Sequence, residues 1–374
     1  MSVLASFLLA TALATAPAPV PTAQILPPPS PDTLLEVPPA LRHLLQQRVV
    51  RRSQSEPEKL QRLIALMFDA DGLALQYGTS DTHSVAESYT TRRINCLSFT
   101  LLFVALAREV GLTARPQEVG QALSWYEQDG FAFNYGHLNA QLRMDGRIAT
   151  VDLDRSVLLD RRGPRTISDA RLFAHYYNNR AAELMTTSQR VQARAYFQQA
   201  LQSDPTLVDA WNNLGLLDAM EHRTDAAIAD YAHALVLDPQ HPAALSNAFN
   251  LYRRLGNEAD AAQMLARLQQ VRARDPFRQY TLGTEAEREG DYVAAARYYA
   301  GAIRLYPEAH QFHFGLARVA FLRGDGVIAE RELRLARALG PPGEQQRYQA
   351  KLDSLRRWSQ PMANVQGARM RDVP

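Results

Sequence analysis

The 374-residue chain contains a single cysteine, Cys96. One thiol excludes an intramolecular disulfide, a cysteine-based zinc cluster and a CxxC redox pair, and leaves either an inert buried thiol or a nucleophile. Downstream, residues 137–143 (HLNAQLR) and 148–154 (IATVDLD) alternate polar and apolar positions, as half-buried strands do. Asp145-Gly146 between them is the strongest short hairpin signal. A two-residue loop pairs Met144 with Arg147, so paired positions sum to 291. His137 then lies opposite Asp154 and diagonal to Asp152, with His137, Asn139, Asp152 and Asp154 on one face. An imidazole beside a carboxylate is the base and orienter of a nucleophilic triad, and the one cysteine precedes them.

The elements that must position these groups are legible. Residues 96–110 are an apolar helical run closed by Gly111, which places Cys96 in the first turn. Residues 113–119 (TARPQEV) follow as a strand, and 41–52 and 58–69 read as helices, the second opened by Ser55 and Pro57.

Cys96, then an aromatic at Phe99, Arg108, Gly111-Leu112 and Ala114-Arg115, followed by His137 and Asp152, resemble the transglutaminase-like superfamily. The resemblance spans roughly 80–160. Upstream, 72–77 and 92–95 are similar to bacterial members that join this domain to helical repeats. Ser98 and Asp154 depart from the family pattern. The resemblance implies an α+β, papain-like cysteine domain over 41–172. Its Cys96 thiolate attacks an amide carbonyl, His137 protonates the departing amine, and Asp152, or Asp154 in its place, orients the histidine. Water then gives hydrolysis, and an amine gives acyl transfer. The Cys96 backbone N–H is one oxyanion donor; Trp125, Tyr89 and Asn95 are candidates for the second. No metal or other cofactor is expected, because no acidic cluster supports calcium.

The second half repeats. Ala193, Ala227, Ala261, Ala295 and Ala329 are spaced by 34 residues, with Pro205, Pro239, Pro307 and Pro341 in phase. Trp211, Leu214, Gly215, Ala227, Tyr231, Ala234 and Pro239 resemble the tetratricopeptide repeat, with Asp218 in place of its tyrosine. The expectation is an all-α solenoid of five repeats (174–207, 208–241, 242–275, 276–309, 310–343), a capping helix at 344–358 and a tail at 359–374. Asn178, Asn179, Asn212, Asn213 and Asn247 fall on first helices, where amides can bond an extended protein or peptide partner. His310 and His313 share a helical face and read as surface histidines rather than a metal site.

Residues 1–16 form a short apolar run with Ala12-Leu13-Ala14, the pattern of a secretory leader, and 17–40 hold nine of the 21 prolines and read as a spacer. The protein is therefore expected to be exported, to the periplasm or beyond, with no membrane span in the mature chain. With 41 basic and 39 acidic residues, the charge balance offers no argument for nucleic acid. Two functions compete: a cysteine amidase, protease or acyltransferase whose repeats recruit a protein, and an inactive adaptor whose repeats alone do the work.

Overall fold

The computed structural model describes residues 27–78, 81–119, 125–128, 131–134, 137–153 and 164–359. An N-terminal α/β region with a small curled sheet is followed by an all-α repeat array. The leader-like run, the tail, Asp154 and the side chain of Trp125 lie outside the described residues.

Short helices α1 (Pro31–Leu34), α2 (Pro39–Arg48) and α3 (Glu56–Phe68) come first, with a 3-10 turn at Val50–Arg52 between the last two. The helix expected over 41–52 therefore breaks near Val49, and α3 begins where Ser55 accepts a hydrogen bond from the Glu58 N–H. Residues 27–40 are not a free spacer. Leu34 is fully buried, and the Tyr177 hydroxyl donates to the Pro29 carbonyl at 2.7 Å. Proline at the first turn of α1 and α2 suits helix initiation, which is how a proline-rich stretch comes to be folded here.

Two short parallel strands, β1 (Gln76–Tyr77) and β2 (Arg93–Ile94), flank α4 (Val85–Thr91), which starts with a Ser84–Glu87 capping box. Next comes α5 (Cys96–Glu109), whose residues 97–107 are all buried. It is the apolar centre of the region. Phe99, Phe103 and Leu106 pack with Leu41, Leu45, Leu63, Met67, Ala140 and Leu142.

Strands β3 (Thr113–Val119), β6 (His137–Met144), β7 (Arg147–Val151) and β8 (Pro164–Thr166) form an antiparallel sheet in the order β7-β6-β3-β8. In the β6–β7 hairpin, Met144 pairs with Arg147 and Ala140 with Val151. Asp145 and Gly146 both have positive φ (48° and 75°), as a two-residue turn matching the right-handed twist requires. Between β3 and β6, strands β4 (Trp125–Gln128) and β5 (Phe131–Asn134) pair with each other.

The array is built from helix pairs: α6 (Asp169–Thr186) with α7 (Arg190–Ser203), α8 (Val208–Met220) with α9 (Thr224–Leu237), and α10 (Pro242–Arg254) with α11 (Glu258–Ala273). Then follow α12 (Pro276–Arg288) with α13 (Tyr292–Leu305), α14 (His310–Leu322) with α15 (Gly326–Leu339), and the single helix α16 (Pro342–Ser359). Alanines 193, 227, 295 and 329 are fully buried between the helices of a pair, and Ala261 nearly so. Gly215 and Gly283 lie against the rings of Tyr231 and Tyr299, where an added Cβ would come within 3.0 Å and 2.7 Å. The third and fourth repeats share only a thin contact between α11 and α12. Strand β5 runs along α10. Among the described residues no helix is long and apolar enough to cross a membrane.

Candidate functional site

Helix α5 begins at Cys96 because Asn95 caps it. The Asn95 Oδ1 accepts the Ser98 N–H at 2.8 Å and the Ser98 hydroxyl at 2.9 Å. The helix is largely apolar and buried in the core. Cys96 itself is partly exposed and unpaired with any other cysteine. Its backbone N–H lies in the first turn, where no intrahelical acceptor exists, and so is available to an oxyanion.

His137 is the first residue of β6 and is 7% exposed. Its Nε2–H donates to both oxygens of Asp152, at 3.0 and 2.9 Å. Cys96 is the ring's other neighbour and, with Asp152, favours its charged form. With Nε2 committed to the carboxylate, Nδ1 is the nitrogen left for the thiol. Burial opposes charge on this ring, but the hydrogen bonds and charges of Asp152 and Cys96 outweigh it and raise His137 to about 9. The imidazole is therefore held as imidazolium at neutral pH, the state that can hand a proton to a leaving group.

Asp152 lies one residue past β7 and is fixed from a second side: Asn139 Nδ2 donates to it at 2.9 Å. Asn139 is fully buried, and its Oδ1 has no hydrogen-bond partner. Strand alternation puts Asn139 on this face, and because 139 and 152 also sum to 291 the two face each other across the hairpin. Cys96, His137 and Asp152 thus converge. Of the candidate second oxyanion donors, Tyr89 packs against the core with Arg92 over its ring at 4.4 Å, and Asn95 is the helix cap.

The asparagines of the array form a ladder. Asn213 Nδ2 donates to Asn178 Oδ1, Asn212 Nδ2 to Asn213 Oδ1 and Asn247 Nδ2 to Asn212 Oδ1, each at 3.0 Å. Asn179 joins less closely, accepting from Asn178 at 3.4 Å. Asn178, Asn212, Asn213 and Asn247 are buried.

The histidine pair departs from the surface reading. His313 is buried and bonds Glu332 at 2.6 Å and the Pro307 carbonyl at 2.8 Å, while His310 bonds the Tyr348 hydroxyl of α16 at 2.8 Å. Both hold the end of the array together. No group of three or more metal-ligating side chains occurs among the described residues.

Residues 179–242 and 280–344 match the tetratricopeptide repeat family. The C-terminal half carries tetratricopeptide repeats. Repeats of this type bind proteins or peptides. Among solved structures, YrrB, described as a tetratricopeptide-repeat protein with an unusual peptide-binding site, is 18% identical, over 48% of this chain and 92% of its own, with a TM-score of 0.26. MamA is 18% identical over 48% and 94%, with a TM-score of 0.26. PilF of Pseudomonas aeruginosa is 17% identical over 50% and 90%, with a TM-score of 0.28. No curated protein matches the chain.

Proposed function

We propose that the N-terminal region is a transglutaminase-like cysteine domain acting on amide bonds of proteins or peptides, and that the repeats hold the partner or substrate. The observation that carries this reading is one buried imidazole that bonds both oxygens of Asp152 and neighbours Cys96. In this mechanism the Cys96 thiolate attacks the amide carbonyl, and the Cys96 backbone N–H receives the developing oxyanion. The tetrahedral intermediate expels the amine, which takes its proton from His137, leaving an acyl thioester. Neutral His137 then removes a proton from water or from an incoming amine, whose attack on the thioester releases the acid or a new amide and restores the thiolate. Asp152 keeps the ring oriented and compensates its charge.

The repeats supply recruitment. The asparagine ladder runs along the first helices of the array, and β5 lying along α10, the helix of Asn247, is an extended chain on that same array. The leader-like N-terminus supports work outside the cytoplasm. The test is mass spectrometry of glutamine-containing peptides incubated with the protein, with and without a primary amine. Deamidated, cleaved or amine-linked product that vanishes in Cys96→Ala supports the reading. Turnover that survives Cys96→Ala contradicts it. The adaptor reading draws on the repeats alone, and it prevails if partner capture persists in Cys96→Ala while no peptide is ever processed.

A further inference from the structure

The first helix of the array does more than begin the repeats. Tyr176, Arg180 and Glu183 stand at i, i+4 and i+7 on α6 and form one stripe. The 34-residue register aligns them with Ala210, Leu214 and Leu217 of the second repeat, Ala244, Ala248 and Leu251 of the third, and Phe312, Leu316 and Val319 of the fifth. Those nine residues are buried. In the first repeat the same positions turn polar. The fourth repeat, with Arg278, Leu282 and Glu285, is the other exception, and there contact with the preceding repeat is thin.

The polar stripe has a definite target. Glu183 Oε1 accepts the backbone N–H of Thr82 at 2.8 Å, while Oε2 accepts from Arg180 at 2.7 Å. Thr82 is 1% exposed, and its Oγ1 accepts Asn95 Nδ2 at 3.0 Å. The other end of that amide is the cap of α5, which precedes Cys96 by one residue. His83 closes the loop, its N–H donating to Ser98 Oγ at 2.8 Å. Burial raises the Glu183 carboxyl, and Arg180 and the Thr82 bond work against that rise.

We infer that Glu183 and Thr82 are positioning residues for Cys96, so that the first repeat is a structural part of the nucleophile's site. This rests on the reading of Cys96 as a nucleophile. An N-cap amide fixed only at Oδ1 is free to swing about its side-chain torsions; the Thr82 bond fixes its other end, and Glu183 fixes Thr82. The relay thereby ties the turn that aims the thiol to a helix nearly 90 residues away in sequence (96 to 183). A misplacement on the scale of an ångström costs up to about a hundredfold in rate.

The experiment measures alkylation of Cys96 by iodoacetamide at pH 7 in the full chain, with the unfolded chain as reference. Thr82→Val and Glu183→Ala are expected to slow alkylation about tenfold, with circular dichroism and melting temperature reporting a folded protein. Thr82→Ser, which keeps the Oγ acceptor, and Glu183→Gln, which keeps an oxygen for the Thr82 N–H, are expected to stay within about twofold of wild type. If Thr82→Val does not fold, the Glu183 pair decides alone. Wild type reacting faster than the unfolded chain, with all four variants alike, overturns this inference and leaves the nucleophile reading standing. Wild type reacting no faster than the unfolded chain overturns both.

Discussion

At the scale of the residue, one imidazole joins two partners whose separate roles are chemically distinct. Asp152 stabilises the charged ring, and in the proposed mechanism that ring activates the thiol. Removing the ring should therefore slow alkylation of Cys96 at neutral pH, and His137→Ala is expected to react at least about tenfold more slowly than wild type. The same contacts make stability depend on pH. Because the folded-state value of His137 is raised from 6.5 to about 9, its contribution is fully present below pH 6.5 and is lost as pH rises through about 9. Wild type should lose up to about 3 kcal/mol of stability across that window relative to Asp152→Asn, read from urea midpoints at pH 6 and pH 9.5. Equal slopes in the two proteins would show that the pair is not charged as described. Much of this was legible beforehand. The turn dipeptide set the hairpin register, which put both Asp152 and Asp154 on the face of His137 without choosing between them. Asn139 was visible on the same face, but its tie to Asp152 depends on a side-chain torsion that no pattern encodes.

At the scale of the element, the repeat period makes helices and their contact positions readable, because each alanine or glycine of the pattern answers a fixed close approach. Tyr299 is the tightest case. Its fully buried ring lies between Gly283 and Gly315, where an added Cβ would come within 2.7 and 2.8 Å, and its hydroxyl donates to Glu287 at 2.7 Å. The ring cannot retreat without breaking that bond. Alanine in place of glycine raises helix propensity by about 1 kcal/mol, but overpacking costs about 1–3 kcal/mol. Gly283→Ala is expected to lower stability, and an unchanged or higher melting temperature would contradict the packing described. What the period does not reveal is where the pattern is broken for another purpose. Asp218 replaces the repeat's tyrosine and is buried against Asp230 of α9, with Arg194 of α7 and Arg223 bonded to it. Glu221, Tyr231 and Arg254 complete the surroundings. Burial, then the hydrogen bond and charge of Asp218, raise Asp230 to about 7. This contribution is present below pH 3.8 and is lost as pH rises through about 7. Asp230→Asn should flatten the fall in stability between pH 4 and pH 7.5, on the order of 2 kcal/mol in wild type, measured by denaturant unfolding.

At the scale of the whole molecule, the α/β region and the array are not two independent bodies on a string. Glu118 of β3 bonds His175 and Arg171 of α6, and Arg108 of α5 bonds Asp169 through two bonds of 2.6 and 2.9 Å. Together with the Glu183 relay, these contacts fix the site to the first repeat. The weak place lies further along, where the third and fourth repeats share little. In a solenoid each repeat is stabilised by its neighbours, so a thin interface divides the array into cooperative units. Hydrogen exchange should show α12–α16 opening separately from α6–α11; uniform protection across that junction would contradict this. The sequence marks this junction only by Ala273, which stands where the in-phase proline is missing; the thin interface itself was not legible, since Arg278 and Glu285 read as ordinary helix-surface residues until their neighbours are known.

The central claim is that Cys96 is an activated nucleophile. Its most direct test is the rate of iodoacetamide alkylation at pH 6, native against urea-unfolded, in wild type and His137→Ala. Native wild type is expected to react at least about tenfold faster than the unfolded chain, and His137→Ala to abolish the difference. A native thiol no more reactive than the unfolded one would contradict it.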